Sequence, residues 1–149
     1  MKLDNIIDSE IKKAMLAKDR TRLDVLRAIK KEFIETKTAK NANGEISDEA
    51  ETAIIQRMVK QRKESADIFT TQKREDLAKD EIEQLAILQE YLPEQLTAEE
   101  LEAEISSIIS TVGASSMKEM GKVMGIASKQ LAGKAEGKAI SDMVKKLLS

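Results

Sequence analysis

Lys118, Lys122 and Lys129 are the residues of this chain whose type and spacing point most directly to a chemistry. At about 100° per residue they fall within about 40° of one another on a helical wheel. Gly121, Gly125, Ser128 and Ala132 fall between this lysine ridge and an apolar stripe of Met117, Met120, Met124, Ala127 and Leu131, and Lys134 and Lys138 follow just beyond. Aligned ammonium groups neutralise phosphates, and a strip of small residues lets a sugar-phosphate backbone come close. A glycine inside a helix costs roughly 0.5–1 kcal/mol against alanine, so two of them four residues apart call for a close neighbour. That neighbour is either a helix of the same protein or a bound partner. Gly121, on the core side of the strip, is read as a packing residue. Gly125, nearest the lysines, is the candidate contact.

The residues that are missing narrow the chemistry further. The sequence has no histidine and no cysteine. Histidine-based triads, Cys-His nucleophiles, disulfides and Cys/His zinc sites are therefore excluded. Acids are dense between 75 and 104, yet Glu81, Glu83, Glu90 and Glu94 show no metal-binding pairing and read as a solvated face. Neither GxxxxGK[ST] nor GxGxxG occurs, so a nucleotide-triphosphate site has no support. No metal and no cofactor is expected. The two Phe and single Tyr lie on apolar faces, which leaves no platform for stacking single-stranded bases. Nucleic-acid contact would then be directed to shape and phosphate, as on a folded RNA.

Charge is unevenly spread about a net of −2. Residues 1–74 carry 17 Lys/Arg against 13 acids, residues 75–112 carry one against 11, and residues 113–149 carry seven against three. Two readings follow: solvated faces and basic ends packed on an acidic middle, or a basic surface that meets a polyanion. The first residues, MKLDNIIDSEIKKAM, lack the apolar run of a signal peptide, and nothing is long enough to span a membrane. A cytoplasmic protein is expected.

The elements that must position these residues read as helices throughout. The 149 residues are 41% apolar and rich in Ala, Glu, Lys and Leu, with little β-type alternation. A first helix is predicted over 3–17. Asp19 caps a second with the stripe Val25, Leu26, Ile29 and Phe33, and a polar loop follows over 38–46. Ser47 caps a long third helix, with Asp48, Glu49 and Glu51 at the positive end of its dipole. Arg62 projects from the apolar face of that helix and requires a carboxylate. Glu81, or an acid beside it on the fourth helix, is the expected structural partner. Pro93, the only proline, ends the fourth helix and divides the chain into 1–93 and 94–149. Thr97 and Glu100 form a capping box for a fifth helix ending near Gly113, and Ser116 with Glu119 forms a second for a sixth. Gly133 suits the left-handed position after the sixth helix, and a last helix starts near Lys138. The fold class is all-α: about four helices, then a small three-helix domain.

EYLPEQLTAEEL, KEMGKVMG and LAGKAEGKAISDMVKKLL, together with DRTRLDVLRAIK and VKQRKES, resemble the YqeY family over essentially the whole chain. That family is similar to the C-terminal helical and tail region of GatB, the B subunit of the tRNA-dependent amidotransferase. The resemblance implies a two-part helical fold whose C-terminal part is of the GatB-tail type. In GatB this region is a tRNA-recognition module that contacts the outer corner of the tRNA, while catalysis resides in domains with no counterpart here. It implies RNA-binding roles for Lys118, Lys122, Gly125, Lys129, Lys134 and Lys138. Ala135-Glu136-Gly137 departs from the family's Ala-Asp-Gly, and glutamate caps a helix less well than aspartate. Three functions are compatible with the resemblance. The first is a non-catalytic tRNA-associated accessory module. The second is an adaptor for an amidotransferase or aminoacyl-tRNA synthetase. The third is a carbon–nitrogen ligase with glutamine as amido-nitrogen donor, for which no residue of the chain stands out.

Overall fold

The computed structural model describes residues 2–149, and among them it is helical without strands. Two compact units meet in sequence at the proline, Met1–Leu92 and Pro93–Ser149.

The first unit holds α1 (Leu3–Ala17), α2 (Arg20–Lys37), α3 (Asp48–Thr71) and α4 (Glu75–Gln89). Helix α1 stops where Lys18 turns left-handed, with φ 56° and its N–H directed at the carbonyls of Ala14 and Met15. Asp19 then caps α2 by accepting from the Arg22 amide at 3.2 Å. Ser47 caps α3 in the same way through the Ala50 amide at 3.1 Å. Such caps satisfy amides that have no intrahelical acceptor, at about 1 kcal/mol each. The four helices bury Ile7, Leu26, Ile29, Phe33, Ile55 and Leu88 almost completely. The loop between α2 and α3 belongs to the same core: Ile46 is 4% exposed, and the Gly44 amide donates to the Lys37 carbonyl at 3.2 Å. Beyond Val59, α3 runs on beside α4 with a thinner interface, in which Ala66 and Ala78 are the buried contacts. Arg62 and Glu81 face each other there at 3.3 Å, the arginine one-third exposed.

The second unit holds α5 (Ala98–Val112), a 3-10 turn (Met117–Glu119), α6 (Met120–Gln130) and α7 (Gly137–Leu148). Thr97 and Glu100 make both bonds of their capping box, each at 3.1 Å. Gly113 closes α5 at φ 71°. The core consists of Leu101, Ile105 and Ile108 from α5, Val123, Ala127 and Leu131 from around α6, and Ile140, Val144 and Leu148 from α7. Three helices of this length make a small core, and each of its Leu, Ile and Val side chains contributes on the order of 1.5–3 kcal/mol by leaving water.

The start of α6 differs from the sequence reading. A 3-10 turn precedes the α-helix, and Glu119 reaches back to the amides of Ser115 and Ser116 at 2.5 and 3.4 Å. The tighter turn shifts the phase of everything before Met120. Met117 leaves the core and is 43% exposed, while Val123, absent from the expected stripe, is fully buried. Helix α7 begins at Gly137 with Glu136 in extended geometry at the N-cap and no side-chain cap bond.

Candidate nucleic-acid interface

The outer face of α6 is fixed by the core side chains on its inner face. Val123, Ala127 and Leu131 point into the unit's core. Lys122, Gly125 and Lys129 lie on the opposite side of the wheel, within about 60° of one another. Lys118, Gly121, Lys122, Gly125, Ser128, Lys129 and Ala132 are all exposed, so this face is open from the 3-10 turn past the end of the helix.

The two glycines are the informative members. A Cβ placed on Gly121 or on Gly125 would find no atom within 4 Å outside the helix's own backbone. Neither residue accepts a neighbouring helix. This corrects the reading of Gly121 as a packing residue. Met120 and Met124 are only half-buried and Val123 is fully buried, so the core face of α6 turns away from Gly121 and leaves it on the solvent side. Among the described residues, no packing accounts for either glycine.

Lys134 and Lys138 are exposed as well, one in the turn after α6 and one in the first turn of α7. Among the described residues none of the five lysines makes an ion pair. The turn carrying Lys134 is held from both sides. Gly133 adopts φ +79°, a conformation in which side-chain-bearing residues are strained. Its carbonyl accepts from the Gln95 side chain at 2.6 Å, and the Lys134 carbonyl accepts from the Leu96 amide at 2.9 Å. Lys134 thus stands on a braced backbone. The arrangement offers point charges on a rigid scaffold with a flat strip between them. Among the described residues, no three acidic side chains gather as a metal site.

Arg62 and Glu81 lie in the other unit, and their ion pair is far in sequence from the lysines. Pro93 stands at the first position of the second unit. The N-terminal unit holds a second polar cluster that sequence reasoning missed. Asp4 is 6% exposed and accepts from Lys30 at 2.7 Å and from Lys37. Burial opposes ionisation of this carboxyl, but the two lysines outweigh it and hold it below the ordinary carboxylate value. Burial likewise works against the Lys30 ammonium, which its bonds to Asp4 and Asp8 nevertheless hold above the usual lysine value. Glu51 is 1% exposed, and its Oε2 accepts from the Asp4 amide at 2.7 Å. Its carboxyl is pushed above the ordinary value by burial, which that bond and the nearby Lys2 only partly offset. The contacts of Asp4 with Lys30, Lys37 and Glu51 span 26 to 47 residues, and no local pattern announces them.

With this geometry in view, comparison with known proteins adds a family. The model of that family, described as Yqey-like protein, matches residues 4–148. A fungal protein named altered inheritance of mitochondria protein 41, mitochondrial, from Pyrenophora tritici-repentis (strain Pt-1C-BFP), is 37% identical over 97 residues. The match covers 64% of this chain and 52% of the fungal protein, so it spans about half of that relative's length.

Proposed function

Since this chain belongs to the YqeY-like protein family, we propose that it is a non-catalytic, tRNA-associated accessory module that binds structured RNA through the outer face of α6. The observation that carries the reading is the pair of uncovered glycines flanked by exposed lysines. Phosphate neutralisation by Lys118, Lys122, Lys129, Lys134 and Lys138 supplies affinity. The glycine strip supplies a surface on which a ribose-phosphate backbone can lie without meeting a side chain. The protein works in the cytoplasm in this reading. No helix among the described residues is long and apolar enough to cross a membrane.

The test is binding to total tRNA at two salt concentrations. Five phosphate contacts, at about 0.7–0.9 released counterions each, predict a loss of about 100- to 500-fold in affinity between 50 and 200 mM salt. Replacing Lys118, Lys122 and Lys129 by glutamate should abolish binding and leave the helical circular dichroism unchanged. Absence of binding by the wild-type protein at 50 mM salt would refute the RNA reading. In that event the adaptor function, with an amidotransferase or synthetase as partner, becomes the better account.

A further inference from the structure

We infer that Asn43 is a latent deamidation site: the Gly44 amide nitrogen attacks its side chain when the loop between α2 and α3 opens, and the closed loop holds the pair unreactive. The site is independent of the α6 face and of the RNA reading.

The chain has three asparagines, and only Asn43 precedes a glycine. In an open loop that pair favours internal attack, because Gly44 has no Cβ to obstruct its own nitrogen. The nitrogen gives up its proton to water or hydroxide and bonds to Cγ of Asn43. The Cγ–Nδ2 bond breaks, ammonia leaves, and a five-membered succinimide closes. Water then opens the ring. Addition at Cγ gives aspartate. Addition at the main-chain carbonyl gives an isoaspartyl link, which carries the side-chain methylene in the backbone. The sum is a carboxamide plus water to a carboxylic acid plus ammonia, with no oxidant or reductant. Asn43 and Gly44 are both exposed, so water reaches them.

The turn decides when this can happen. The Glu45 amide donates to the Ala42 carbonyl at 3.0 Å, and Asn43 and Gly44 between them have φ 54° and 75°. Positive φ at both central residues defines a type I′ turn, with ψ of about +30° at the first. A succinimide needs the Gly44 nitrogen beside Cβ of Asn43, at a ψ of about −120°, which is the geometry of a type II′ turn. Passing from one turn to the other flips the peptide group between Asn43 and Gly44. The N–H of that group donates to the Lys37 carbonyl at 3.2 Å, so the flip breaks this bond. Ile46, 4% exposed, ties the loop to the core two residues further on. The nucleophile is thus held by its own hydrogen bond, in the wrong geometry for attack. The two products then differ. Aspartate tolerates a left-handed backbone and refits the turn. The isoaspartyl link lengthens the chain between the Lys37 bond and Ile46 and does not.

The test is incubation of the full chain in mildly alkaline buffer for several weeks, folded and in guanidinium chloride, with peptide mass spectrometry at each asparagine. Conversion should occur at Asn43 and spare Asn5 and Asn41. It should be about tenfold slower in the folded chain, the worth of one hydrogen bond that must open. The Gly44 amide should be protected from hydrogen exchange to a similar degree. Ile46→Ala, checked for helicity by circular dichroism, should speed conversion in the folded chain and leave the unfolded rate unchanged. Should that variant fail to fold, Ile46→Val carries the same test with a smaller rise. Asn43→Asp should melt like the unmodified chain, whereas the isoaspartyl form, separated by ion exchange, should melt lower. Equal rates in the folded and unfolded chain would overturn the inference. So would no conversion in denaturant, faster conversion at Asn41, or Ile46 variants that fold and leave the rate unchanged.

Discussion

Replacing Gly125 by alanine should stabilise the protein and weaken RNA binding at once. A Cβ at this position meets nothing within 4 Å, so no steric term opposes the change. What remains is the conformational freedom that glycine has in the unfolded chain and alanine lacks. In a helix interior this amounts to about 0.8–1.0 kcal/mol at Gly125, and to less at Gly121, the second residue of α6. The double variant Gly121→Ala/Gly125→Ala should therefore gain about 1–2 kcal/mol. In a unit as small as Pro93–Ser149, each kcal/mol moves the melting temperature by about 4–8 °C. The measurement is urea denaturation of the full chain followed by circular dichroism, with the midpoint compared at constant slope. In parallel, tRNA affinity should fall while the salt dependence of binding stays the same. The methyl groups lift the backbone off the strip, but all five lysines remain. Loss of stability by more than about 0.5 kcal/mol in either single variant would show that the glycine is covered, and the argument from open space would fail. Gain of stability with unaltered RNA affinity would separate the glycines from any contact.

Other consequences are open to direct measurement. Gly133→Ala should destabilise by about 1–2 kcal/mol, because the left-handed backbone at φ +79° strains a Cβ; chemical denaturation reads this. Asp4→Asn should cost about 2 kcal/mol at neutral pH, since it leaves Lys30 and Lys37 facing a neutral amide. The two acids of that cluster should respond to pH in opposite directions. Asp4 ionises more easily in the folded state than at its unfolded value of 3.8, so its contribution is present above that pH and is lost as pH falls through the lower native value. Glu51 ionises less easily than at its unfolded value of 4.5, so its contribution is full below that pH and declines as pH rises through the higher native value. Glu51→Gln should flatten the stability profile above pH 4.5, as seen in denaturation midpoints collected from pH 4 to 8.

Features that depend on neighbouring residues could be read from the sequence. Asp19, Ser47 and Thr97 announce helix starts because a cap acts on an amide only two or three residues away. Gly113 and Gly133 announce helix ends for the same local reason. The lysine ridge was legible because Lys122 and Lys129 share one regular helix. The failures have physical causes too. A wheel drawn through the 3-10 turn at about 100° per residue misplaces Met117. Val123 escapes it for a different reason: Met120 and Met124 are only half-buried, so the core face of α6 is centred closer to Val123 and farther from Gly121 than a methionine stripe suggests. By its position Glu51 is a charge at the start of its own helix, whereas the folded chain turns its carboxylate toward the start of α1. That contact spans 47 residues, and nothing local encodes it.

The cap that Glu51 places on α1 also bears on the order of folding. Helix α1 begins after Lys2 with no side-chain cap from that residue, so its first turn is complete only when α3 has arrived. A contact of such long sequence separation is closed at an entropic cost that local helix formation does not face. The first turn of α1 should therefore be frayed at the transition state, with φ-values near zero at Leu3 and Asp4, while the pair α3 and α4, joined by a short turn, nucleates. Changes at Glu51 would then act on the unfolding rate and leave the refolding rate nearly untouched. The carboxylate that holds the end of the first helix becomes a latch on the lifetime of the folded state.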